Sequence, residues 1–218
     1  MNTELIERAR RHAALSDASR LQLIDLVALG DRSSTELQLE LGLSSNLLAH
    51  HLRVLEQAGL IHRHRSEADR RRSYVSLAPA AVGFTSSAVT ASRVVFVCTA
   101  NSARSQLASL LWSSVSSIPS TSAGTHPADR IAPGAVAVAI AHGLDVADAS
   151  PRSLDGLLRV GDFVISVCDN AREELAVIPD AHWSVADPVR AATPQAFDAA
   201  FAEIQRRVLA AVPRITAA

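Results

Sequence analysis

Four consecutive apolar residues, Val94-Val-Phe-Val97, run straight into the polar stretch Cys98-Thr-Ala-Asn-Ser-Ala-Arg104-Ser105, and a helical pattern follows over residues 106–115. No other stretch restricts the fold as much. A strand apolar on both faces belongs in a parallel sheet with helices packed on each side. A strand that feeds a helix through a short polar loop is the first half of a βαβ unit. The alternation continues. Pro133 opens and Gly143 closes a helix, and residues 163–167 read as a second buried strand. Thr193-Pro194 opens a last helix with Phe197, Phe201, Ile204 and Val208 on one face. The class expected for this half is α/β, a doubly wound parallel sheet.

The first 60 residues follow a different period. Ser33-Ser-Thr-Glu36 forms a capping box for a short helix that Gly42 ends. Ser44 caps a second helix carrying Leu48, Leu52 and Leu55 at helical spacing, and Gly59 stops it. Two helices across a tight glycine turn make a helix-turn-helix. Residues 60–65 and 71–77 then read as two strands around Glu67-Ala-Asp69, a hairpin beside the second helix. A chain of 218 residues suits two small domains better than one. The division expected is a winged helix-turn-helix domain at 1–80, a small and polar linker at 81–92, and an α/β domain at 93–218.

The net charge of −1 does not by itself point to nucleic acid, but the local charge does. Five arginines (Arg63, Arg65, Arg70, Arg71, Arg72) and two histidines lie between His62 and Arg72, against only Glu67 and Asp69. The second helix would lay its leading turns in the major groove, with Ser45, Asn46, Ala49, His50 and Arg53 facing bases and phosphates. The arginine hairpin would supply phosphate contacts, the main source of affinity. No zinc-type spacing of cysteine and histidine occurs, and no metal site is expected. His50, His51, His62 and His64 read as DNA-facing or exposed. No apolar run is long enough for a membrane span, and the start has no hydrophobic leader, so a cytoplasmic protein is expected.

The loop after residue 97 carries the chemistry. Backbone N–H groups of Thr99, Ala100, Asn101, Ser102, Ala103, Arg104 and Ser105, with the positive end of the following helix, form a cradle for a tetrahedral oxyanion. Arg104 can hold two oxygens in a bidentate fork. Cys98 at the base of that cradle is a stabilised thiolate and a nucleophile. The hydroxyls of Thr99, Ser102 and Ser105 are expected to bond the loop or the sulfur, and Asn101 suits a left-handed backbone position. The general acid is expected at Asp187, in Asp187-Pro188. The other cysteine, Cys168, is either a second reacting thiol or a small buried hydrophobe.

Two resemblances add to these readings. Leu15-Ser-Asp-Ala-Ser-Arg20-Leu, with Leu43-Ser-Ser-Asn-Leu-Leu-Ala-His50-His51-Leu-Arg-Val-Leu-Glu-Gln-Ala-Gly59-Leu-Ile, resembles the ArsR-type winged-helix repressors over residues 5–78. That resemblance implies a homodimer on operator DNA. The Cys-x-Cys inducer pair carried by many such repressors is replaced by Asp31-Arg-Ser-Ser-Thr-Glu-Leu-Gln.

The second resemblance joins the Cys98–Arg104 loop and Gln106 with Ser122-Ala-Gly124, Cys168-Asp169 and Trp183…Asp187-Pro188. These look like low-molecular-weight tyrosine phosphatases and the arsenate reductases that share their fold. It implies that Cys98 attacks the oxyanion, Arg104 binds it and Asp187 is the acid. Ala100 stands where the family often has glycine. Gln106, and Val189 and Arg190 where phosphatases tend to have tyrosine, favour arsenate, as does an aromatic content of 4%. Thioredoxin-coupled reductases keep a second cysteine at the place of Cys168 and a third seven residues on, where this chain has Leu175. The implied function is thiol-dependent arsenate reduction joined to transcriptional regulation. No bound cofactor is expected, and the reductant is external: thioredoxin-like, or a thiol of mycothiol or glutathione type. A phosphatase joined to a DNA-binding domain, and a regulator whose second domain senses an oxyanion or redox state, are the alternatives.

Overall fold

The computed structural model describes all residues except 1, 87 and 177, and divides into two compact units, Met1–Ser87 and Ala88–Ala218. In the first unit, helices α1 (Thr3–Ala14) and α2 (Ala18–Leu26) precede β1 (Arg32–Ser33), α3 (Ser34–Leu41) and α4 (Ser45–Gln57). Ser33 caps α3 in a complete capping box with Glu36, and Gly42 ends it in the left-handed conformation at φ 62°. Ser44 caps α4 through Leu47 N. Leu48, Leu52 and Leu55 drive one face of α4 into a core with Leu23, Ile24, Leu37 and Leu60. This apolar stripe selects which face stays outside.

Strands β2 (Ile61–Arg65) and β3 (Ser73–Leu77) pair antiparallel from Ile61 opposite Leu77 to Arg65 opposite Ser73. Their connection is pinned by Ser66, whose hydroxyl accepts from Ala68 N and Asp69 N. Strand β1 adds to the far side of β3, giving the order β1-β3-β2. These are the helix-turn-helix and wing of a winged-helix domain.

Within the stretch expected as a linker, residues 81–92, two described segments take regular structure. A 3-10 helix covers Pro79–Phe84 with Ala81 fully buried. Strand β4 (Val89–Ala91) pairs in parallel with the last strand, β9 (Ile215–Ala217). The partner of β4 lies at the other end of the unit, so no local pattern announces it.

The second unit is an α/β layer. Its parallel sheet contains β5 (Arg93–Cys98), β6 (Ser120–Gly124), β7 (Asp162–Ser166) and β8 (Ala181–His182), in the order β6-β5-β7-β8. Helix α5 (Arg104–Val115) follows β5 and packs on β6 and on the long helix α9 (Pro194–Ala211). Helix α6 (Pro133–Ala141) also packs on α9, and α7 (Asp169–Glu174) covers β5 and β7. Residues 94–97 are at 0% exposure, as a two-sided apolar strand requires. Phe96 lies between Trp112 and Trp183, with ring centroids 6.1 and 5.6 Å away. The chain leaves β5 toward one neighbour, β6, and later returns to the other, β7. The carboxyl end of β5 is therefore the point where strand order reverses, the place where open α/β sheets bind ligands. Cys98 sits there.

Candidate active site

The loop between β5 and α5 is held open by its own hydrogen-bond accounting. The carbonyls of Cys98, Thr99, Ala100 and Ser102 accept from Thr125, His126, Ala128 and Ala132 N–H, at 2.8–3.1 Å. The Asn101 carbonyl accepts from Gln106 Nε2 at 3.1 Å, and that of Ala103 from Leu107 N at 2.9 Å. Six consecutive carbonyls thus turn away from the loop centre, which leaves its N–H edge to an anion. Gly124 makes this possible. It closes β6 in register with Cys98, and a Cβ there would lie 2.6 Å from Thr99 O.

Asn101 takes the left-handed conformation (φ 47°), and its N–H donates to Cys98 Sγ at 3.1 Å. Its side-chain Nδ2 donates to Ser105 Oγ at 2.8 Å, and Ser105 Oγ lies 3.0 Å from Cys98 Sγ. A thiolate can only accept. The serine hydrogen, not needed toward Asn101, therefore points at the sulfur. Two donors and the first turn of α5 stabilise negative charge on Cys98.

Arg104 is buried, with its guanidinium tied to the segment that carries Asp187. Nη1 donates to Val185 O at 3.0 Å and Nη2 lies 3.2 Å from Asp187 Oδ2. Asp187 in turn caps the short helix α8 (Pro188–Ala191) through Val189 N at 3.0 Å. The structure thus joins Cys98, Arg104, Asp187 and residues 99–105 in one site.

The hydroxyl of Thr99 departs from expectation. It reaches neither the loop nor Cys98 but lies 3.5 Å from Cys168 Sγ. The carbonyl accounting already satisfies the loop, so its side chain is free to turn toward β7. Cys168 follows β7 and caps α7, accepting from Ala171 N at 3.4 Å. Both cysteines are free and buried. Burial pushes the Cys168 thiol up, Arg104 pulls the other way, and a charge on Cys98 raises it further. Leu175 ends α7.

Sequence reasoning missed three groups. Gln106, read only as a family mark, donates to Asn101 O, Asn101 Oδ1 and Ser150 O. The main-chain oxygen of Val185 anchors Arg104 and leaves no trace in a sequence. A buried relay beside Cys168 runs from Ser166 Oγ to His182 Nδ1 (2.9 Å) and from His182 Nε2 to Asp169 Oδ1 (3.0 Å). Its available signal was polar residues at the ends of two buried strands.

In the first unit, Ser45, Asn46, Ala49, His50 and Arg53 form the exposed side of α4, opposite its leucines. All five wing arginines are exposed, and three of them face carboxylates. Arg63 pairs with Glu56 of α4, and Arg71 makes a double hydrogen bond to Asp69 at 2.9 and 3.1 Å. Arg72 lies 3.9 Å from Asp69. The Arg71 guanidinium holds the Asp69 carboxyl below its usual range. A phosphate contact by Arg63 or Arg71 would have to replace a carboxylate partner, which the sequence count of charges does not show. Among the described residues no group of three or more His, Cys, Asp or Glu gathers to hold a metal ion, and no helix is long and apolar enough to cross a membrane.

No curated protein matches the chain. Among solved structures, a tyrosine phosphatase of Erwinia amylovora is 18% identical, covering 56% of this chain and 92% of its own, at a TM-score of 0.50. An arsenate reductase in its phosphate-binding state is 24% identical, over 57% and 98%, also at 0.50. An arsenate reductase of Archaeoglobus fulgidus is 28% identical over 55% and 98%, at 0.47. The family model for bacterial regulatory proteins of the arsR family matches residues 17–63. The model for low molecular weight phosphotyrosine protein phosphatases matches residues 93–217. With more than half its length in that match, the chain belongs to the low molecular weight phosphotyrosine protein phosphatase family, and it carries an ArsR-family winged-helix domain ahead of the phosphatase-fold unit.

Proposed function

We propose that the second unit reduces arsenate to arsenite through Cys98, and that the first binds operator DNA as a homodimer in the cytoplasm. The observation that carries the choice of arsenate is where the aromatic residues lie. Every phenylalanine and tryptophan of the second unit is buried (Phe96, Trp112, Phe163, Trp183, Phe197, Phe201), and the chain's one tyrosine, Tyr74, is buried in the first. No such ring is left to wall a phosphotyrosine, which needs aromatic or broad apolar contact. A bare tetrahedral oxyanion asks only for the loop and Arg104.

Cys98 Sγ attacks arsenic while the loop N–H groups and Arg104 hold the oxygens, and Asp187 delivers a proton so that one oxygen departs as water. The product is a Cys98–S–As(V) adduct. A second thiolate then attacks Cys98 Sγ and forms a disulfide. The S–As electron pair passes to arsenic, which leaves as As(III), so two thiols supply the two electrons. Cys168, buried against Thr99, is the internal candidate. An external dithiol or a thiol of mycothiol or glutathione type restores the pair. Arsenate-dependent oxidation of a coupled thiol system and hydrolysis of p-nitrophenyl phosphate are to be measured on one sample. Arsenate-dependent oxidation that vanishes in Cys98→Ser is the expected result. Phosphate-ester hydrolysis with no arsenate-dependent oxidation would assign the unit to phosphatase chemistry instead.

A further inference from the structure

The geometry points to Gln106 as a positioning residue that sets the direction of the hydrogen bond from Ser105 to Cys98. The inference rests on Cys98 being the nucleophile and is independent of which oxyanion it attacks. The side chain of Asn101 is fully buried, and its amide could turn either way round. In one orientation Nδ2 faces Ser105, which keeps its hydroxyl hydrogen for the sulfur. In the other, Oδ1 faces Ser105 and takes that hydrogen, so Cys98 loses a donor.

Two N–H groups decide between them. Gln106 Nε2 lies 3.1 Å from Asn101 Oδ1, and Arg152 N lies 2.9 Å from the same atom. Donors converging on one position require an oxygen there. Gln106 is itself 5% exposed and held by Ser150 O at 2.8 Å and Asn101 O at 3.1 Å. Its carboxamide therefore presents nitrogen, not oxygen, to Asn101. A polarity established at Ser150 and Gln106 passes through Asn101 and Ser105 to the reacting sulfur. Replacing Gln106 with glutamate reverses it. A carboxylate facing three oxygens is relieved when the Asn101 amide turns Nδ2 toward it, opposed only by Arg152 N–H, and Oδ1 then claims the Ser105 hydrogen.

The test is the pH profile of Cys98 alkylation by iodoacetamide in the full-length protein, followed by peptide so that Cys168 is counted apart. Gln106→Glu should move the profile to higher pH by about one unit, the effect of one hydrogen bond to the charged form, and Gln106→Met by less. Ser105→Ala should move it comparably. Adding Gln106→Glu to Ser105→Ala should move it by less than the sum of the two shifts, because the part carried by the Ser105 hydrogen is shared and only the direct repulsion from the new charge remains. A profile that stays in place, or drops at every pH without moving along the axis, overturns the assignment. So does a shift that adds in full to that of Ser105→Ala. Gln106→Met matches glutamine in length and places no charge in the interior, so it carries the test if Gln106→Glu does not fold. Alkylation does not involve arsenate, so this result stands apart from the assignment of substrate.

Discussion

Replacing Gly124 with alanine tests whether the sheet positions the reactive loop. The added methyl would lie 2.6 Å from Thr99 O, 3.0 Å from Asn101 N and 3.1 Å from Ala100 C, while ordinary contact begins near 3.4 Å. All three atoms are backbone, so no side chain can swing aside. The Thr99 carbonyl must retreat by about 0.8 Å. That carbonyl is one bond network away from the nucleophile, through His126 N on its outer side and Cys98 before it in the chain. A misplacement near 1 Å costs on the order of 100-fold in rate. Overpacking of this kind costs about 1–3 kcal/mol of stability. Gly143→Ala is the control. Gly143 differs from Gly124 in having a positive φ, 72°, and an added methyl there meets nothing within 4 Å. Its cost is backbone strain, about 1 kcal/mol or somewhat more, with turnover intact. Thermal unfolding and arsenate-dependent turnover of both variants decide the matter. Native turnover in Gly124→Ala, or an equal loss in Gly143→Ala, would refute the argument.

Two further expectations concern ionisable groups. Burial pushes the Asp162 carboxyl up, but the bond from Arg93 at 2.9 Å and Arg159 N outweigh it, so the carboxyl lies below its usual range. A carboxyl lowered on folding contributes stability above its unfolded value, about pH 3.9, and loses it as pH falls through the folded value. Asp162→Asn should therefore cost about 3 kcal/mol at neutral pH by leaving Arg93 unpaired and flatten the acid limb of a stability profile; an unchanged limb would contradict the reading. Cys168, raised by burial and by the neighbouring Cys98 charge, should resist alkylation at neutral pH while Cys98 reacts. Peptide mass spectrometry showing both thiols labelled at the same rate would count against its being held protonated.

The sequence made the reactive loop legible because every part of it is local: strand, polar turn and helix follow one another within 22 residues, from Val94 to Val115. The recognition helix was legible for the same reason, through Leu48, Leu52, Leu55 and the flanking serine and glycine. Strand β6 was not. Its residues, Ser-Thr-Ser-Ala-Gly, lack the bulk that marks a strand, because Ser120 hydrogen-bonds Ser109 and Ser113 of α5 at 3.0 Å and Gly124 must clear the loop. Helix contact and loop clearance selected small residues where propensity would favour branched ones. The pairing of β4 with β9 was hidden by distance along the chain. The outward turn of Thr99 followed from hydrogen bonds that no residue pattern encodes.

That terminal pairing bears on how the protein can be dissected. The family match begins at residue 93, which invites a fragment started there. Such a fragment would remove Val89, Thr90 and Ala91 and leave the edge of Ile215–Ala217 without its ladder, including the bond from Thr216 Oγ1 to Val89 O. The two ends of the catalytic unit are laced together like a cuff. A clean excision therefore starts upstream of Val89 and keeps the chain through Ala218, whose own N–H closes the seam on Ala91 O at 3.1 Å.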